Sequence, residues 1–168
     1  VNHSAIRKAF DTYLRGRTLK LTEQRARIFD RAFSTHEHFT AERLYAWLRE
    51  EDGPSVSRAT VYRTLSLLVD GGFLQSLDTG RGELSYEHVL GHRHHDHLLC
   101  LDCGRIEEFY DARIEELQLE AARKKGFELA SHALKLFGYC KACQRKRAAR
   151  GGSAGLSSAA PQPSTASR

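Results

Sequence analysis

Apolar residues recur every third or fourth position in four stretches of the first seventy residues, and polar punctuation closes each stretch. Ile6, Phe10 and Leu14 stand four apart, which predicts a helix over residues 4–15 ending at Gly16. Thr22 is placed to cap a second helix running to Phe33, whose apolar members are Ala26, Ile28, Phe29 and Phe33. Thr40 caps a third, built on the stripe Leu44, Trp47 and Leu48 and closed by Gly53-Pro54. Ser57 caps a fourth, Arg58 to Asp70, with Val61, Leu65, Leu68 and Val69 facing inward and Gly71-Gly72 as its stop. The period then changes. Phe73 to Leu77 and Glu83 to His88 are extended runs joined by Asp78-Thr79-Gly80-Arg81-Gly82, a hairpin signal. Helices followed by a two-stranded hairpin are the order of a winged helix-turn-helix, a layout that lays one helix in the major groove.

From Asp96 onward the pattern differs. Leu98-Leu99 and Ile106 to Tyr110 predict two strands turned at Asp102-Cys103-Gly104. Asp111 can cap a helix carrying Ile114, Leu117 and Ala121, and Arg123-Lys124-Lys125 before Gly126 suits its C-terminus. Phe127 to Tyr139 alternates enough to be a third strand, with Leu134 and Leu136 on one side and Lys135 and Phe137 on the other. The fold class is therefore α+β. A winged helix occupies residues 1–88, a hinge lies at about 88–94, and a small β-β-α-β domain covers 95–144. Residues 145–168, basic and then rich in Gly, Ser, Ala and Pro, lack the apolar content to order themselves and read as a disordered tail.

Composition narrows the function classes. At 168 residues and 40% apolar, with no long apolar run, the chain fits one compact unit or two small lobes and contains no membrane span. Val1 to Tyr13 has no apolar signal core, so the expected location is cytoplasmic. The net charge of +5 is unevenly placed. Residues 1–80 hold 12 Lys/Arg against 10 Asp/Glu, residues 81–139 hold 8 against 11, and residues 140–168 hold 6 against none. Any case for DNA must rest on where particular basic residues sit.

Metal chemistry is concentrated between His92 and Cys103. Cys100 and Cys103 have the spacing by which a tight turn presents two sulfurs to one tetrahedral ion, and Cys140-x-x-Cys143 supplies two more. Four thiolates make a closed, structural zinc site, which contributes directly to the folding of a small domain. The histidines carry a separate signal. If residues 94–97 are extended, His95 and His97 face one way and His94 and Asp96 the other, so one segment can feed two sites. Partners available elsewhere are His38, Glu87, Glu108, Glu115 and His132, all N or O donors suited to Fe(II), Mn(II), Zn(II) or Ni(II). Taken singly, Glu108 and Glu115 also read as ordinary surface carboxylates, and His36, His88 and His92 as bystanders. A competing pattern, His92-x-His94-x-Asp96-His97, matches metallo-β-lactamase-like hydrolases, where two metals activate water. Too little chain follows it for that fold, and the cysteine pair interrupts what should be scaffold. A zinc-stabilised protein-interaction module that does not bind DNA is a further alternative.

Together these residues strongly resemble the ferric uptake regulator family of metal-dependent repressors. The likeness spans roughly Ala5 to Cys143. It is carried by Leu19-Lys20-Leu21-Thr22-x-x-Arg25, His38 with Thr40-Ala41-Glu42-x-Leu44-Tyr45, Ala59-Thr60-Val61-Tyr62-Arg63-x-Leu65, His95-Asp96-His97-Leu98-x-Cys100-x-x-Cys103-Gly104, and His132-x-Leu134-x-Leu136-x-Gly138-x-Cys140. Their order and spacing, more than any one of them, make the match.

The resemblance implies a homodimer, or a higher oligomer, joined through the second domain, binding palindromic double-stranded operator DNA and having no catalytic role. It implies structural Zn2+ on Cys100, Cys103, Cys140 and Cys143. It implies a regulatory metal on His38, Glu87, His95 and His97 at the hinge, with Glu108 as an extra ligand, and a third site on His94, Asp96, Glu115 and His132. On the fourth helix Ser57 and Thr60 can meet phosphates, Tyr62 can present its ring to a thymine methyl and Arg63 can reach base or phosphate, while Lys20 resembles the family's minor-groove lysine. Tyr62 also has a plain reading as core packing beside Val61 and Leu65. Between Glu87 and His95 this chain carries one residue more than the common pattern. Peroxide-sensing relatives have Asp where Glu108 stands, and zinc sensors often add a cysteine that this chain lacks. An N/O site favours Fe2+, with Mn2+ or Zn2+ as alternatives.

Overall fold

The computed structural model describes residues 2–52, 56–89 and 94–150. The chain divides into two compact units, the first reaching His92 and the second taking Arg93 onward together with the hairpin tip Thr79–Arg81.

Four helices build the first unit: α1 (His3–Gly16), α2 (Glu23–Phe33), α3 (Ala41–Asp52) and α4 (Arg58–Asp70). Three start on the caps that the side chains dictate. Thr22 accepts from the Arg25 amide at 3.3 Å, Thr40 from that of Arg43 at 3.2 Å, and Ser57 from that of Thr60 at 3.2 Å, each satisfying a donor the helix cannot. At the end of α4, Gly72 takes φ +71°, the left-handed turn that lets the Phe73 amide close on the Leu68 carbonyl at 2.9 Å. Gly53-Pro54, expected to stop α3, lies outside the described residues. The apolar stripes converge as the periodicity predicts. Phe10, Leu14, Ile28, Phe29, Leu44, Leu65 and Leu68 are wholly buried. Phe10 stacks on Phe29 at 5.5 Å between ring centroids and meets Phe73 edge-on at 5.3 Å.

The wing is β2 (Leu74–Asp78) and β3 (Leu84–His88), paired antiparallel. A short β1 (Phe39–Thr40), absent from the sequence reading, pairs with β3 to give the order β1-β3-β2. Two residues cannot signal a strand by period. Their pairing of Phe39 with Tyr86 is decided by the sheet they join.

The second unit holds β4 (Asp96–Cys100), β5 (Ile106–Phe109), α5 (Ala112–Lys124), β6 (Lys135–Gly138) and α6 (Lys141–Ala149). β4 is central, antiparallel to β5 and parallel to β6. Two expectations need correction. The third strand is four residues long rather than running from Phe127 to Tyr139, because β6 finds partners only along His97–Cys100 of β4. Residues 145–149, read as the start of a disordered tail, continue α6. Helix-forming Gln, Arg, Lys and Ala supply the propensity. Arg147 anchors the helix, 3.3 Å from Asp102 Oδ1 and 3.9 Å over the Tyr139 ring. The remaining tail, 151–168, lies outside the described residues. Among the described residues no helix is long and apolar enough to cross a membrane.

Candidate metal centres and nucleic-acid interface

The turn after β4 and the start of α6 bring four sulfurs together. Ligand atoms of Cys100, Cys103, Cys140 and Cys143 all lie within 4.8 Å of one another, and the Cys103 and Cys140 sulfurs are 3.7 Å apart. Sulfurs about 2.3 Å from a tetrahedral zinc stand about 3.8 Å apart, so the cage fits that ion. The Cys140 amide donates to Cys100 Sγ at 3.3 Å. Burial opposes ionisation of Cys100, but backbone amides of Cys140, Cys103 and Asp102 overcome it and hold its thiol down at about 6. Burial pushes Cys143 up to about 12, and hydrogen bonds with Cys140, Cys103 and Cys100 add to the effect. Packed thiols that cannot all ionise together want a cation.

Along residues 94–97, leading into β4, the side chains part as alternation requires. His95 and His97 meet edge-on at 4.9 Å, and His95 Nε2 lies 3.8 Å from Glu108 Oε1 on the neighbouring β5, where Glu108 pairs in register with His97. On the opposite side, His94 Nε2 is 3.6 Å from Asp96 Oδ1 and 3.5 Å from Glu115 Oε1 of α5. His132 Nε2 reaches Glu115 Oε2 at 2.5 Å. Asp96 is fully buried, with Oδ1 accepting from the Leu134 amide at 3.1 Å. Its Oδ2 and Glu115 Oε1 are buried without a hydrogen-bond partner. Ligand atoms of His94, Glu115 and His132 lie within 4.8 Å of one another, a set of N and O donors that fits a divalent cation. This parting also separates the residues of the hydrolase pattern. His94 belongs with Glu115 while His97 lies with His95, and His92 falls outside the described residues.

The first unit contributes another pair. β1 pairs Phe39 with Tyr86, so His38 and Glu87 come next along the same antiparallel register. His38 Nε2 lies 3.2 Å from Glu87 Oε2, and both side chains are nearly enclosed. His88, taken for a bystander, is buried against Phe33 and bonds the Ala32 carbonyl at 2.8 Å.

α4 presents Arg58, Tyr62 and Arg63 to solvent. Tyr62 is 47% exposed, which overturns its core-packing reading. Ser57 and Thr60 share a 2.9 Å hydrogen bond at the cap, so the two hydroxyls expected at phosphates also start the helix. Lys20 is exposed on a separate element, the connection before α2. Arg58 was missed by sequence reasoning. A basic residue in a helix's first turn carries no signal until its neighbours are known.

Residues 16–137 match the model of the ferric uptake regulator family. The ferric uptake regulation protein of Campylobacter jejuni is 35% identical over 149 residues, 88% of this chain and 94% of that protein. Among solved structures, the Helicobacter pylori ferric uptake regulator, described as having three functional metal binding sites, superposes with a TM-score of 0.78 at 32% identity, over 86% of this chain and 95% of that one. The ferric uptake regulator of Francisella tularensis with iron gives a TM-score of 0.69 at 30% identity, over 75% and 95%.

Proposed function

The chain belongs to the ferric uptake regulator family, and on that premise we propose that it is a metal-responsive repressor, active as a homodimer on palindromic operator DNA in the cytoplasm. The observation that carries this reading is the division of the donors. His38 and Glu87 stand ready in the winged-helix unit, and His95, His97 and Glu108 stand ready in the second. The first set has two donors and the second three, a number that leaves coordination positions open for the first. His38, Glu87, His95 and His97 would hold one regulatory cation, with Glu108 in reach as a further ligand. The cation supplies the charge that makes imidazole and carboxylate from separate units prefer one shared arrangement. Holding that arrangement sets the spacing of two copies of α4 against two half-sites about one helical turn apart. A tenfold preference of the metal for that arrangement biases it by about 1.4 kcal/mol.

Fe2+ is the regulatory ion this reading favours, because the donors are nitrogen and oxygen and all four cysteines are engaged with one another. The relative whose structure is described with iron supports the choice. A manganese- or zinc-responsive member of the family is the alternative. Cys100, Cys103, Cys140 and Cys143 would hold structural Zn2+. His94, Asp96, Glu115 and His132 would hold a third ion, a reading supported by the convergence of His94, Glu115 and His132, with the buried Asp96 beside His94. Arg63, Tyr62, Ser57, Thr60 and Lys20 would contact DNA.

Replacing His38 with Ala tests the division directly. In a mobility-shift titration the variant should lose at least tenfold in Fe(II)-dependent affinity for operator DNA while retaining one tightly bound zinc per chain. Unchanged metal-dependent binding by the variant contradicts the assignment of His38. Failure of the wild-type protein to bind any duplex, with Fe(II), Mn(II) or Zn(II), sinks the repressor reading.

A further inference from the structure

The exposed face of α4 has an acidic neighbour that a surface made only to meet phosphates would lack. Glu42, in the first turn of α3, holds two α4 side chains with one carboxylate. Its Oε2 lies 3.4 Å from Nη2 of Arg58, and its Oε1 accepts a hydrogen bond from the Tyr62 hydroxyl at 3.3 Å. The Arg58 guanidinium also lies over the Tyr45 ring, 5.2 Å from its centre. Glu42 and Arg58 side chains are 50% and 66% exposed. An ion pair so open to water adds little to folding stability, so stability does not account for it. Burial, and then the charge of Glu42, raise the pKa of Tyr62.

We propose that Glu42 is a specificity-determining residue of the DNA-binding face, competing with phosphate for Arg58 and fixing the Tyr62 ring. The inference rests on the DNA-binding reading above. On an arbitrary duplex, Arg58 must abandon Glu42 to meet a phosphate, and the carboxylate is left facing the polyanion. On a matched duplex, contacts of Tyr62 and Arg63 with base edges anchor α4, so Arg58 keeps Glu42 and the cost is not incurred. Glu42 therefore penalises binding through the backbone alone and leaves sequence-dependent binding largely intact. This is discrimination by repulsion, as against added attraction.

Glu42→Gln separates the two roles, since the amide oxygen still accepts from Tyr62 but no longer holds Arg58 by charge. The probes are a duplex enriched from random-sequence DNA by the Fe(II)-loaded wild-type protein, and a scrambled duplex of the same composition. The variant should bind the scrambled duplex about tenfold tighter, with a salt slope steeper by about one, as one released cation–phosphate contact requires. Its preference for the enriched duplex should fall by a similar factor. Adding Arg58→Ala should return scrambled-duplex affinity to near the wild-type value. An unchanged preference in Glu42→Gln overturns the inference, as does an effect that survives loss of Arg58. Enrichment of no sequence by the wild-type protein removes the DNA-binding reading and this inference with it. Melting curves of the apo and metal-loaded variants would confirm that both remain folded.

Discussion

The two units solve the problem of being small in different ways. The first buries aromatic and aliphatic side chains from all four helices and the wing in one cluster around Phe10, Phe29 and Leu65. Among the described residues of the second, only Leu99, Cys100 and Cys143 are buried apolar residues, and α5 buries none of its side chains. Leu117, Phe127 and Leu136 are instead 62%, 72% and 40% exposed. Apolar surface removed from water is worth roughly 25 cal/mol per Å2, a contribution the isolated second unit scarcely collects. On the reading proposed above, coordinated metal and a second copy covering the exposed residues would supply what it lacks. A regulator whose less self-sufficient half holds the ion cages would be well placed to couple folding and assembly to metal.

The comparison breaks most visibly on removal of zinc. Structural zinc in small domains contributes of the order of 10 kcal/mol. A chelator strong enough to strip the four-cysteine cage should abolish amide protection across β4, β5 and β6 while leaving that of α1–α4 in place. Loss of protection in both units together would show that they are not energetically separate. The converse change is Phe29→Ala, at the centre of the aromatic stack. It should destabilise the first unit by about 3–5 kcal/mol in denaturant titration and leave zinc content unchanged.

Smaller effects sharpen the contrast. Leu117→Glu should weaken self-association by about 2 kcal/mol or more in sedimentation, since it places a charge where apolar contact is expected, and should not lower the melting temperature of the first unit. Dimers of unaltered strength would mean that the exposed face of α5 is not the one covered. The smallest effect concerns α5 itself. The Arg113 side chain, and then the Arg113 amide, hold the carboxyl of Asp111, the cap of α5, down at about 2. An unfolded Asp ionises near 3.9, so the cap's contribution is complete above about pH 4 and is lost as pH falls towards 2. Carboxyl NMR titration should place Asp111 there and show it moving upward in Arg113→Ala.

Local rules were enough for much of the fold. Thr22, Thr40 and Ser57 announce their helices because a hydroxyl before an apolar stripe has few other uses, and the boundaries of α4 follow from Ser57 and Gly71-Gly72. The cysteine pairs and the divergence of His94 and Asp96 from His95 and His97 were likewise readable, since sulfur spacing and strand alternation are properties of a few adjacent residues. β1 and the short reach of β6 were not, because a strand's extent depends on the length of its partner. α6 was missed for a related reason. A polar, alanine-bearing segment looks like solvated tail until Tyr139, Asp102 and the cysteines give it something to hold.

By itself, then, the sequence determined which residues could be caps, core and ligands, since these roles follow from side-chain chemistry and separations of two to four positions. Only the tertiary structure decided which groups distant in the chain share a site. Glu115 and His132 meet across 17 residues, Asp96 receives the amide of Leu134 across 38, and Glu42 takes Arg58 and Tyr62 from another helix. Such meetings are set by how sheets and helices pack, and packing is a property of the whole folded surface that no local pattern encodes.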